Sequence, residues 1–269
     1  SYSQVRQLRT CGEQYRLERV EGVPSRPSVP AVAGVAVHVG TETIDHGLLA
    51  GVDSADLAEM ALSATLAKLD EETERLTEKG WEPETWKRYG RKTAEKPQAE
   101  DVEWFRQVGI PNSLNAYLEW RLTNEQFQIA EIPDFGPAIE VPFNFYLDGQ
   151  LVHGWIDRVF TTENGGYYPL DIKSGQKPKT SEQLGLYAGA LERALGWQVT
   201  YGYFLYGLKT GEAKLTPALN LSAWNDFTLS RVYVGGNRLI ELGIYIPNPG
   251  DACFNCGVSD HCDFAMSLV

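Results

Sequence analysis

Two acids and a lysine set the chemistry to expect from this chain. Gly154-Trp155-Ile156-Asp157-Arg158 and Pro169-Leu170-Asp171-Ile172-Lys173-Ser174-Gly175 read as two strands of a hairpin. The turn falls at Glu163-Asn164-Gly165-Gly166, where Asn-Gly supplies the positive φ angles a tight connection needs. Pairing such strands brings Asp157 and Asp171 together. Adjacent carboxylates repel, and a divalent cation between them offsets that cost. Lys173 stands two residues after Asp171, so on a strand both face the same way. A cation beside an ammonium suits phosphodiester hydrolysis: the cation activates water, and the amine positions it or offsets developing charge.

Elements on either side have to hold these groups. Helices are expected over Ser3 to Arg16, with Ser3 as N-cap, and from Ala31 to Val39, where a buried strand is the alternative. Pro24, Pro27 and Pro30 force an extended or looped path between them. Asp53 or Ser54 caps a helix whose Leu62, Leu66 and Leu69 share one face, and Gly80 ends it. Its Glu/Lys-rich later turns read as a solvated face. A short helix over Pro83 to Thr93, a polar mobile loop over Lys92 to Glu100, and two helices over Asp101 to Thr123, split at Gly109-Ile110-Pro111-Asn112, complete a helical insertion at 54–123. Strands follow near 126–132, 138–147, 150–160 and 167–172, with Asp148-Gly149 as a second hairpin turn. Then come a helix from Thr180 or Ser181 to Leu195, an aromatic strand over Val199 to Leu208, an edge strand over Lys214 to Leu219 and a helix over Asp226 to Gly243. The tail from Pro247 is irregular. No repeat or low-complexity segment interrupts this α/β order.

A chain of 269 residues fits a single domain, and its net charge of −12 excludes a protein that coats duplex DNA by non-specific basic contacts. The acidity is compatible with an enzyme that holds nucleic acid in one narrow channel. No apolar run is long enough to cross a bilayer, so no membrane partner is expected. The opening Ser1 suggests a trimmed methionine or tag.

Three further groups carry possible chemistry. Gln183 and Tyr187, at i and i+4, share a helical face and can both hydrogen-bond a phosphate or water. His38 and His46 are the histidines of the early apolar stretch, while His153 lies at even spacing from Asp157 and reads as packing. Tyr201, Tyr203, Phe204 and Tyr206 read as strand packing, with one face able to stack on bases. Cys253-x-x-Cys256 with Cys262, and Cys11 far upstream, fit either zinc, with His261 as an alternative ligand, or an iron–sulfur cluster.

Asp157, Asp171-x-Lys173 and the following helix resemble the PD-(D/E)XK nuclease superfamily. Gln183-x-x-x-Tyr187 matches the motif of its RecB-like members, and Gly34-x-x-x-His38 is similar to their histidine motif, which favours His38 over His46. Glu140 falls where these proteins often carry a strand glutamate. The cysteines at both ends resemble those of AddB-type and CRISPR-associated RecB-like exonucleases, some of which occur in phages. The resemblance runs from Cys11 to Cys262; Asp171 departs from the glutamate of many relatives. It implies a mixed central sheet flanked by helices, in one nuclease domain spanning 1–269. A 4Fe–4S clasp at Cys11, Cys253, Cys256 and Cys262 would bind the segment 247–269 to the N-terminus. His38, Asp157, Asp171 and the Ile172 carbonyl would hold Mg²⁺ or Mn²⁺, Lys173 would position water, and Gln183 and Tyr187 would hold phosphate. Arg158 would be a structural or phosphate partner, and the insertion would roof the site. The activity implied is exonucleolytic hydrolysis of DNA from single-strand ends in the cytoplasm of a bacterium or a phage-infected cell, alone or as a homo-oligomer or with a recombination or CRISPR partner. The alternatives are a DNA-end-binding or partner-binding module without turnover, and a nicking endonuclease.

Overall fold

The computed structural model describes residues 1–88, 100–162 and 165–266. Four strands form the working sheet: β1 Ile139–Leu147, β2 Gln150–Thr161, β3 Tyr167–Lys173 and β4 Tyr201–Tyr206. β1 and β2 pair antiparallel from Leu147↔Gln150 to Ile139↔Arg158, around the Asp148-Gly149 turn. β2 pairs antiparallel with β3 only from Arg158↔Leu170 to Thr161↔Tyr167. β3 and β4 are parallel, so a crossover must join them, and the helix between supplies it. β2 is therefore shared. Its first half belongs to the β1–β2 hairpin and its second half to the main sheet, and the two part at a fork beside Asp157. The hairpin turn between β2 and β3 falls partly outside the described residues, and Gly165 there has φ +75°.

Helices cover both faces: α1 Tyr2–Thr10, α2 Val29–Leu49, α3 Ser54–Thr77, α4 Ile110–Thr123, α5 Glu182–Leu195 and α6 Asp226–Glu241. Ala36 and Ile44 of α2, Leu57 and Leu69 of α3 and Tyr117 of α4 share an apolar cluster with Leu170 and Ile172 of β3. The segment 54–123 therefore packs into the same core as the sheet. On the other face, Leu184, Leu186 and Tyr187 of α5 and Leu229 of α6 pack on Val141, Phe145, Val152 and Ile156. Gly40 lets three helices meet, because a Cβ there would stand 2.1 Å from Thr65 Oγ1 and 2.5 Å from Leu114 Cδ2.

Most elements fall near where the sequence places them, with several differences, among them the strand expected near 126–132, which is instead two two-residue strands, Gln128–Ile129 and Glu131–Ile132, in different sheets. The first helix begins at Tyr2 with Ser1, not Ser3, as its N-cap, and Ser1's ammonium donates to Gln4 Oε1 at 3.1 Å. It does not run through to Arg16, since Cys11 is extended at φ −159°, ψ 112° and short helical turns resume at Gly12. The segment Val102 to Thr123 is not two separate helices. A wide π turn over Phe105–Gly109 leads into α4, and that turn accommodates Pro111, which has no N–H to give and sits in the first turn. The edge strand over Lys214 to Leu219 is instead two two-residue strands, Lys214–Leu215 and Leu219–Asn220, both against β4. Of the helix expected over Pro83 to Thr93, only the 3₁₀ turn Pro83–Thr85 is present among the described residues. The rest, and nearly all of the loop expected over Lys92 to Glu100, lie outside them.

The chain ends meet. Gly12 N–H donates to the Ile246 carbonyl at 2.8 Å, and a Cβ on Gly12 would stand 2.4 Å from Ile246 N. Asn248 Nδ2 donates to the Thr10 carbonyl at 2.9 Å, and its backbone N–H reaches Cys11 Sγ at 3.4 Å.

Candidate active site

The fork between β2 and β3 leaves backbone groups without a sheet partner, and side chains fill the gap. Asp157 Oδ2 accepts from Ile172 N–H at 2.7 Å, in the place a ladder bond would have occupied. Opposite Asp157, Glu140 adopts φ +47°, which turns its carboxylate out of the normal strand alternation. His38 descends from α2 onto this pair, with Nδ1 at 3.3 Å from Glu140 Oε1 and 3.9 Å from Asp157 Oδ2. One ligand atom each from His38, Glu140 and Asp157 lies within 4.8 Å of the others. These are hard oxygen donors with one imidazole, a set that suits Mg²⁺ or Mn²⁺.

Asp171 is held beside this set and is not one of its three members. Lys173 Nζ lies at 2.8 Å from Asp171 Oδ2 and 3.0 Å from Oδ1, and Tyr187 donates to Oδ1 at 3.3 Å. Gln183 Nε2 in turn donates to the Tyr187 hydroxyl at 2.7 Å. The two residues expected to hold phosphate thus stand behind Asp171, and Lys173 and Tyr187 draw its carboxylate toward α5. Asp171 is fully buried, and its Oδ2 has the Lys173 ion contact but no properly directed hydrogen bond. A buried carboxylate oxygen with unused acceptor capacity fits a cation ligand.

The charges follow from this packing. Burial pushes the Asp171 carboxyl up to about 6, against the pull of Lys173 and with the help of Asp157's charge. Burial works against the Lys173 ammonium, but Asp171 and Asp157 outweigh it and hold the amine protonated above the ordinary lysine value. His38 is pulled down by burial and pushed up more strongly by Asp157 and Glu140. Burial likewise opposes ionisation of Glu140, yet His38 and Arg158 keep its carboxyl below the usual range.

Arg158 anchors the assembly. It is fully buried, its NH1 donates to Glu140 Oε1 at 3.1 Å, and its Nε donates to Asp45 Oδ2. Asp45, on α2, also accepts from Tyr117 at 2.6 Å and from Arg121 Nε at 2.7 Å. Asp45 is a site residue beyond those expected from the sequence, where its signal is that His38, Thr41 and Asp45 form a polar stripe at helical spacing on a largely apolar helix. His46 is exposed and lies 3.8 Å from Glu42. His153 is exposed on β2 rather than packed, and Phe204 is the member of the aromatic strand that is fully buried.

A sequence model of the PD-(D/E)XK nuclease superfamily matches residues 1–263. The chain belongs to that superfamily. The mixed sheet flanked by helices is the architecture that this nuclease family leads one to expect, and membership makes a nucleic-acid phosphodiester the substrate class. The nuclease is 30% identical to the Gene 69 protein of Mycobacterium phage D29 over 270 residues, covering 97% of this chain and 95% of that one. It is 29% identical to the Gene 69 protein of Mycobacterium phage L5 over 289 residues, with the same coverage. Among the described residues of the nuclease, no helix is long and apolar enough to cross a membrane.

The four thiols are free. Cys253 and Cys256 pack with Leu17, Val258 and the buried Cys262 in a small apolar cluster. Burial raises the Cys256 thiol, against the nearby charge of Lys87.

Proposed function

We propose that this nuclease hydrolyses DNA with Mg²⁺ or Mn²⁺, exonucleolytically and from the ends of single strands. The juxtaposition of His38, Glu140 and Asp157 within 4.8 Å, next to the Asp171–Lys173 pair, carries the reading. His38, Asp157, Asp171 and the Ile172 carbonyl would hold the cation, and Glu140 would add a carboxylate to the set. When bound, such a cation would supply Lewis acidity toward the scissile phosphate and would lower the pKa of a coordinated water. Lys173, held as an ammonium, orients that water and offsets charge on the phosphorane-like transition state; it is not the base. Tyr187, whose hydroxyl burial keeps protonated, and Gln183 fix the Asp171 carboxylate from behind.

The four cysteines are read as ligands of a 4Fe–4S cluster that binds the segment 247–269 to the N-terminus. The donor chemistry supports this reading: the free thiols of Cys253, Cys256 and Cys262 share one small apolar cluster, and the free thiol of Cys11 lies where the chain ends meet, against the Asn248 N–H at 3.4 Å. The protein would work in the cytoplasm of a bacterium or a phage-infected cell, alone, as a homo-oligomer, or with a recombination or CRISPR protein.

End-labelled linear and circular single-stranded DNA with Mn²⁺ form the test. Loss of the linear form alone supports the proposal. Cutting of circles supports the nicking endonuclease, and binding without cutting supports a DNA-end module.

A further inference from the structure

The hairpin of β1 and β2 extends past the fork, and its two faces differ. Val141, Phe145, Val152 and Ile156 point to α5 and α6 and are buried. The alternate residues point the other way, away from α5 and α6, and they are exposed. They form three facing pairs in register: Pro142↔Trp155, Asn144↔His153 and Tyr146↔Leu151. Trp155 is 59% exposed, Tyr146 68% and Leu151 44%. Glu140 and Asp157 stand two residues further along the same strands, between the Val141↔Ile156 and Ile139↔Arg158 pairs, so the exposed track begins one step from the candidate metal ligands. None of the six carries an acidic side chain. The hairpin is held in place, with Asp148 at its tip accepting from Ser230 of α6 and Phe143 lying over Gly154 and edge-on to Tyr187 at 6.0 Å.

We infer that this face is a stacking track for the single DNA strand leading away from the site, with Trp155 taking the base next to the scissile linkage and Tyr146 a base further out. The inference rests on the reading of the fork as a DNA-hydrolysing centre. Large aromatic groups left in water on a rigid, acid-free surface bind bases through their π faces without sequence preference, and such contacts tolerate any sequence a degrading enzyme meets. The pair-to-pair step along the ladder is two residues, about 7 Å, which is the reach of one extended nucleotide. Continuity with the ligand-bearing strands selects a nucleic-acid strand over a protein partner. The net charge of −12 agrees with binding that relies on stacking as well as on phosphate contacts.

The test measures fluorescence anisotropy of labelled thymidylate tetranucleotide and dodecanucleotide with the full chain in Ca²⁺, using wild type, Trp155→Ala, Tyr146→Ala and Trp155→Phe. Each alanine variant should weaken dodecanucleotide binding by about 5- to 150-fold, the equivalent of one stacked base. Tyr146→Ala should leave the tetranucleotide much less affected, and Trp155→Phe should restore most of the loss. Unchanged dodecanucleotide affinity in both alanine variants overturns the track, as does a loss that Trp155→Phe does not recover. Cleavage by wild type in Mn²⁺ is scored separately. Ring-dependent binding without any cleavage supports the track and removes the hydrolytic reading, while cleavage with ring-independent binding does the reverse.

Discussion

Asp157 and Ile172 are joined across the fork by a single bond, from the Ile172 N–H to Asp157 Oδ2 at 2.7 Å. The carboxylate thus has two tasks, satisfying a buried backbone donor and facing the cation position. The two separate by substitution. Asp157→Asn keeps an acceptor for Ile172 but loses the charge, whereas Asp157→Ala loses both. Cleavage of linear DNA should fall more than about 100-fold in each. A drop in the urea midpoint equivalent to about 1–3 kcal/mol should appear only in the alanine variant.

Cation binding should depend on pH in a definite direction. The Asp171 carboxyl titrates at about 6, raised by burial, and His38 is also held above its ordinary value. Both must shed their protons before they can serve as ligands, so protons compete with the cation below these values and cease to do so above them. Calorimetric Mn²⁺ titrations should show affinity at least about tenfold weaker near pH 5 than near pH 7. Affinity independent of pH would remove both residues from the ligand set.

Arg158 stands between two carboxylates with no exposure to solvent. Arg158→Leu removes the buried cation that Asp45 and Glu140 share, leaving Asp45 to Arg121 and Tyr117 and Glu140 to His38, and should cost about 3–5 kcal/mol in urea denaturation. Arg158→Lys should recover little of it, because one ammonium cannot span the fork of contacts that the guanidinium makes.

Cys262 is the buried member of the thiol set. Protein purified without oxygen should absorb near ~400 nm. Stripping the iron of the proposed cluster with a chelator, or Cys262→Ser, should bleach that band and lower Tm by several degrees, since a cluster on these cysteines would close a loop nearly as long as the chain. A colourless, zinc-containing protein would refute the assignment.

The strand pair, its following helix and the Asp171-x-Lys173 spacing were legible in the sequence because period-two and period-four patterns fix which residues share a face. Glu140 stood out only through the family resemblance, since by itself a glutamate on a half-exposed strand reads as surface until its positive φ is known. Asp45 was hidden for a related reason: one acid among apolar helical residues shows its partner only when Arg158, far along the chain, is placed against it. The π turn before α4 was missed because Gly109 and Pro111 together signal a break equally well.

The tie between Gly12 and Ile246 also bears on how the protein is made. α1 has its packing partners in α6 and in the salt bridge from Arg9 to Glu182. The opening helix therefore emerges from the ribosome long before anything exists for it to dock on. A growing chain completes its fold only when the tail arrives, so an interrupted translation product would lack the seal between its ends.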